Sequence, residues 1–170
     1  RFDLPEVKFT YVWATRKSPD GNPGLDNDFL TLQYQDAGAG TLTLNWDAGY
    51  FRTGGGDDEA MSVDVDRNPG VTEVVAGPYV AGRASFEGAG HITTQFHKAL
   101  DGTPHTVMAD GWPQHRAGSG AADDRPNKIW VERQGGDPTR LNIFVIGKIF
   151  SSTTGHDGIV MKYEERPRNP

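Results

Sequence analysis

The chain has 170 residues, a net charge of −6 and no cysteine. Its length is enough for one domain with its own hydrophobic core, and the missing cysteines exclude disulfides, cysteine-based zinc sites and thiol nucleophiles. The negative charge and the lack of a lysine or arginine block argue against nucleic acid as a partner, and the longest apolar stretch is too short to span a membrane as a helix.

The first half of the chain alternates apolar and polar residues with the two-residue period of β-strands. This pattern begins at Val7 to Trp13, and it returns in Leu30 to Tyr34 and Leu42 to Trp46, which flank a turn and predict a hairpin. Met61 to Val65 alternates in the same way. The one helical candidate is Asp57 to Met61, which offers a single turn.

The second half continues in short segments of strand type. Four of them lie at Tyr79–Phe86, Ile92–Phe96, Lys128–Arg133 and Gly158–Glu164. A fifth, Leu141–Phe150, is apolar at both odd and even positions, which predicts a central strand covered on both faces. We therefore predict an all-β protein, a single-domain antiparallel β-sandwich of roughly eight to ten strands, with a closed antiparallel β-barrel as the alternative.

The predicted domain covers residues 1–170 and contains one long connection. Residues 116–127 are rich in Gly, Ala and Asp. Because loops of this length are uncommon inside a compact domain, we expect this segment to be mobile or functional. Strand segments lie on both sides of it, and neither side alone looks able to fold independently. We therefore interpret residues 116–127 as a mobile loop within one domain.

A loop near the N-terminus carries four oxygen-donor side chains in near-alternate positions, Asp20, Asn22, Asp26 and Asp28. Such groups can bind a hard cation, and calcium is the one cofactor that the sequence suggests. The positions where an EF-hand loop has Gly and Glu hold Leu25 and Thr31, so an ordinary turn rich in Asp and Asn explains the same residues.

Several histidines lie close together in the sequence. His91, Gln95 and His97 share one face of a predicted strand, where amide and imidazole groups suit a polyol ligand. His91 and His97 are ~20 Å apart along an extended strand, so they do not bind one metal unless the strand bends. Together with His105 and Asp110, they are also the candidates for acid–base catalysis.

Two tryptophans are candidates for contact with a ligand. Trp130 shares a strand face with Lys128 and Glu132, whereas Ile129 and Val131 point the other way. Trp112 lies in a turn. An exposed aromatic ring beside carboxylate, amide and hydroxyl groups suits the apolar face and hydroxyl rim of a sugar, although burial of either tryptophan is the alternative.

These observations favour a carbohydrate-binding or lectin-like module, with calcium assistance as a variant, that binds a glycan or other polyol. One alternative is a small β-fold enzyme with a histidine–carboxylate pair in a cleft or barrel mouth, although the balance leans away from an enzyme. Another is a structural or interaction protein of a virion, a cell surface or a secreted effector. The expected location leans towards secreted or extracellular, and the oligomeric state is open.

Overall fold

The computed structural model describes residues 9–17, 27–36, 40–50, 58–65, 78–86, 89–100, 103–108, 114–119, 124–135 and 137–165. Within these ranges all regular structure is β-strand and no helix occurs. In particular, this part of the chain has no helix that is long and apolar enough to cross a membrane. The prediction of an all-β protein is confirmed for these residues.

Eleven strands make up the described fold. In chain order they are β1 (Phe9–Lys17), β2 (Asn27–Asp36), β3 (Leu42–Tyr50), β4 (Glu59–Asp64), β5 (Tyr79–Phe86), β6 (Ala89–Leu100), β7 (Thr103–Met108), β8 (Gln114–Arg116), β9 (Arg125–Gln134), β10 (Asp137–Ser151) and β11 (Gly155–Glu165).

The strands form three antiparallel sheets, and none of them closes on itself in the described part. The first sheet has the order β1-β2-β3, and the predicted hairpin is confirmed as the pairing of β2 with β3. The second sheet has the order β4-β5-β6-β7, and β8 pairs with β6 beside β7. The third sheet has the order β11-β10-β9.

The third sheet has β10 at its centre, as predicted for the Leu141–Phe150 segment. The prediction that both faces of this strand are covered is wrong. Leu141, Ile143 and Val145 are fully buried, but on the opposite face Ile146 is 44% exposed. The sheet therefore has one core face and one face that is open to solvent in spite of its apolar residues.

The main core lies between the second and third sheets. Its buried members come from β5, β6, β9 and β10 and are Tyr79, Ala81, Ile92, Ile129, Val131, Leu141, Ile143 and Val145. Because side chains alternate along each strand, the residues between these core positions on β9 and β10 face away from the core. This alternation places the surface described in the next subsection.

The predicted helical turn at Asp57 to Met61 is wrong, because β4 begins at Glu59 and pairs with β5, with one register shift between Ala60 and Ser62. Its burial alternates, with Ala60, Ser62 and Asp64 buried. Pairing with β5 satisfies backbone groups that a single isolated helical turn would leave mostly unpaired.

The described ends of the segment 116–127 belong to strands or are bound by hydrogen bonds. β8 ends at Arg116 and β9 begins at Arg125. Asp124, which is 1% exposed, accepts hydrogen bonds from the backbone amides of Gly118 (2.7 Å) and Phe150 (2.6 Å). The mobility of the loop stays a prediction, as does the assignment of the whole chain to one domain.

Candidate functional site

The solvent-facing side of the third sheet, here called the outer face, is the candidate site. On β9 the alternation is regular, with Lys128, Trp130 and Glu132 exposed and Ile129 and Val131 buried. The predicted orientation of Trp130 is therefore confirmed. The residue is 57% exposed, which is unusual for the largest apolar side chain.

The strand register arranges the outer face in three rows. From β9 through β10 to β11, the rows are Glu132–Asn142–Glu164, Trp130–Phe144–Lys162 and Lys128–Ile146–Val160. Strands lie ~4.8 Å apart and alternate residues ~6.7 Å apart, so the three rows cover roughly 10 Å by 13 Å. These nine residues form one continuous surface on the described sheet.

The centre of the outer face is apolar. Trp130 lies directly across from Phe144, which is half-buried, and in the next row Ile146 pairs with Val160. Val160 is 68% exposed. Contiguous apolar side chains of this kind on a sheet surface mark a contact area more often than isolated exposed residues do.

Charged groups surround this apolar centre. Glu132 and Glu164 lie in the row on one side of Trp130, and Lys128 lies in the row on the other side. On β11, Lys162 Nζ is 2.9 Å from Glu164 Oε1. Because both side chains are exposed, this ion pair adds little stability.

Asn142 lies between the two glutamates. It is 7% exposed, and its Oδ1 has no hydrogen-bond partner among the residues that the structure describes. A buried carbonyl oxygen without a donor costs free energy. It therefore offers an acceptor that a donor group could satisfy if the neighbouring side chains moved aside.

The backbone beneath Trp130 is fixed by side chains from β4. Ser62 Oγ accepts a hydrogen bond from the amide of Ile129 (3.2 Å), and Asp64 Oδ2 accepts one from the amide of Val131 (2.8 Å). These two amides lie on either side of Trp130 in the sequence. They hold the strand in place through buried polar contacts, so the ring is carried by a rigid support.

The predicted histidine site is only partly described. His91, Gln95 and His97 lie on β6, where they pair with Ala84, Val80 and Met108. His105 lies on β7, and the structure describes the backbone but not the side chains of these four residues. Asp110 is outside the described residues, so the proposal of a histidine–carboxylate pair stays a prediction.

His115 is brought next to the histidine strand. It lies on β8 directly across from Thr93, between His91 and Gln95 in the register of β6, and its side chain is exposed. Cross-strand neighbours share a sheet face. The backbone of β8 thus places His115 beside the strand that carries His91 and His97.

The remaining predicted ligands lie mostly beyond the described ranges. Trp112, Asp20, Asn22 and Asp26 are outside them, and Asp28 is present as a backbone position on β2, paired with Arg16. Among the described residues, no group of three or more His, Asp or Glu side chains is placed to hold a metal ion. The calcium loop stays a prediction.

Sequence reasoning missed the β10 and β11 residues of the outer face, chiefly Phe144, Ile146 and Val160. The signal that could have found them is the strand register. Once Trp130 is assigned to the open face, its partners across β10 and β11 must lie on that face too. The run of apolar residues in β10 concealed this, because it resembles a strand buried on both faces.

The fold and the outer face together define an antiparallel β protein that displays an aromatic surface on one sheet. Comparison with known proteins adds no closer assignment, because no protein-family model, no curated protein and no solved structure matches the chain. The function must therefore be argued from the residues themselves.

Proposed function

We propose that the protein is a carbohydrate-binding, lectin-like module that binds a glycan on the outer face. The exposed ring of Trp130 carries the proposal. It stands in the middle row of the outer face, on the edge strand β9, with Phe144 beside it and carboxylates in the adjacent row. An indole ring can cover the apolar face of a sugar, while Glu132 and Glu164 accept hydrogen bonds from its hydroxyl groups.

The proposed architecture is a β-sandwich whose two main layers are the second and third sheets. The shared core of Tyr79, Ile92, Ile129 and Ile143 supports this arrangement. A sandwich would hold the outer face flat and rigid, which limits the entropy lost when a ligand binds.

The test is a glycan array combined with titration calorimetry on any oligosaccharide that binds. Trp130→Ala should weaken binding at least about tenfold, equivalent to ~1.4 kcal/mol, whereas Trp130→Phe should retain part of it because an aromatic face remains. Because Trp130 is exposed, its replacement should leave the melting temperature nearly unchanged. An array without any hits, or hits indifferent to Trp130→Ala, would refute the proposal.

A second candidate function is protein interaction through the same face. The aliphatic side chains of Ile146 and Val160 favour it, because their exposed surface adds little to recognition of sugar hydroxyl groups but much to a protein interface. Ile146→Ser distinguishes the two functions. It should leave glycan binding by Trp130 largely intact and should weaken a protein partner substantially.

Calcium assistance is a separate part of the proposal and concerns Asp20, Asn22, Asp26 and Asp28. If these residues bind calcium, a chelator should lower the melting temperature of the full chain, because ligand binding to the native state stabilises it. An identical melt with and without calcium would remove calcium from the proposal and leave the role of Trp130 unaffected.

A further inference from the structure

The two edge strands of the third sheet, β9 and β11, differ in what lies beside them in the described structure. At β9, the side chains of Ser62 and Asp64 accept hydrogen bonds from the backbone amides of Ile129 and Val131, which point away from β10. Along β11 no described strand pairs with the outer edge. Its residues Gly155–Glu165 pair with β10 without a single register shift, and a long regular edge of this kind readily accepts another strand.

Apolar side chains on both sides of β11 remain incompletely covered. On the outer face, Val160 is 68% exposed. On the core side, Ile159, Met161 and Tyr163 pack against the main core but are only partly buried. A strand added at this edge would cover apolar surface on both sides of the sheet at once.

We propose that β11 pairs antiparallel with β11 of a second copy of the chain, around a two-fold axis at Val160. On the outer face, Val160 then lies opposite the partner's Val160, and Glu164 lies opposite the partner's His156. Lys162 lies opposite the partner's Gly158, where no side chain obstructs it. On the core side, Ile159 lies opposite the partner's Met161. A closed two-fold pairing uses the same strand in both copies.

The charges of β11 select this register over its neighbours. A two-fold axis at Lys162 would bring that residue onto the partner's Lys162, and like charges directly opposite each other are destabilising. An axis at Ile159 would place His156 opposite the partner's Lys162. An axis at Met161 would place Glu164 opposite the partner's Gly158. Only the axis at Val160 places both a glutamate–histidine pair and a valine–valine pair on the outer face.

The proposed dimer has a six-stranded sheet with one continuous outer face. The two Trp130 residues would lie on the same side of it, separated laterally by five strand spacings, roughly 24 Å. The pairing itself does not depend on the proposed glycan function. Its consequence for binding does, because two sites on one face would strengthen attachment to a polymeric glycan through multivalency.

The test is sedimentation velocity on the full chain over a wide concentration range. We expect a monomer–dimer equilibrium in the micromolar range, since the contact is confined to one strand edge. Glu164→Lys and His156→Glu should each weaken the dimer about tenfold or more, because symmetry repeats each repulsive contact twice. Mixing the two variants should restore dimers, since a glutamate then lies opposite a lysine or histidine at both contacts.

Glu132→Lys is the matched control, because it makes the same charge change on the outer face of β9 and should leave dimerisation unchanged. Hydrogen exchange should also show that protection of β11 amides rises with concentration. A monomer at every concentration would overturn the proposal. So would a dimer indifferent to Glu164→Lys, or a mixture of the two variants that associates no more strongly than either variant alone.

Discussion

The carboxylate of Asp124 allows a direct test of the hydrogen bonds that stabilise the ends of β9 and β10. It is 1% exposed and accepts two short hydrogen bonds, 2.7 Å from Gly118 N and 2.6 Å from Phe150 N. These bonds connect the residue before β9 both to the segment after β8 and to the far end of β10. Replacement by alanine removes both acceptors and leaves two amides without partners.

The expected loss follows from these two bonds. A hydrogen bond to a charged group contributes ~1.5–3 kcal/mol, and removing the buried charge relieves part of its desolvation cost, so Asp124→Ala should lose ~3–4 kcal/mol of unfolding free energy. For a chain of this size, that corresponds to a fall in melting temperature of ~6–16 °C. Asp124→Asn should lose about half as much, because the amide oxygen can still accept one of the two bonds.

The assay is urea denaturation, with unchanged slopes as the condition for comparing the variants. Asp157→Ala is the control, since Asp157 is an exposed aspartate that accepts one hydrogen bond, from the Thr154 hydroxyl at 2.6 Å. It should cost less than about 1 kcal/mol. If Asp124→Ala is no more destabilising than this control, the two bonds do not stabilise the fold and the argument fails.

Three further pairs of substitutions test other features by the same denaturation assay. Gly118→Ala should lower the free energy of unfolding by at least ~2 kcal/mol, because a Cβ at this position would overlap the Phe150 carbonyl oxygen and lie 2.9 Å from the Phe150 amide nitrogen. Gly135→Ala should be nearly neutral, because there is open space around Gly135. Asp64→Ala should lower the free energy of unfolding by ~1.5–3 kcal/mol, because it removes the acceptor of the Val131 amide. Ser62→Ala should cost less, ~1 kcal/mol. Equal losses for the two variants would contradict a charge-assisted hydrogen bond from Val131 to Asp64. Gly155→Ala should cost ~1–2 kcal/mol because φ is +85°, and a neutral result, matching Gly158→Ala, would show that the turn adjusts.

The strand pattern of the sequence predicted most of the described fold because alternation is a local property. The hairpin of β2 and β3, the central position of β10 and the strand face that carries Trp130 all followed from residue order, whereas exposure or burial of its ring did not. The outer face as a unit did not follow, because Phe144 and Val160 become neighbours of Trp130 only through cross-strand register. A strand with an apolar solvent face and a strand buried on both faces have the same sequence pattern.

Buried polar residues were harder still to predict. Ser62 and Asp64 alternate with apolar residues as a solvent face would, but both are buried and bind the edge of β9. Likewise, Asp124 lies in a stretch of loop composition, and nothing local indicates that its partner is Phe150, 26 residues away.

The hydrogen bonds from the amides of Ile129 and Val131 to Ser62 and Asp64 also bear on the proposed contact role of Trp130. An exposed ring gains little from packing, so its position depends on the backbone that carries it. Here the amides immediately before and after Trp130 are both bound by buried side chains of another sheet. Less order has to be created when a ligand arrives, and more of the contact energy is retained as affinity. The polar residues of β4 thus stabilise the edge of the third sheet and, through the same two bonds, order the backbone that carries Trp130 for the proposed binding.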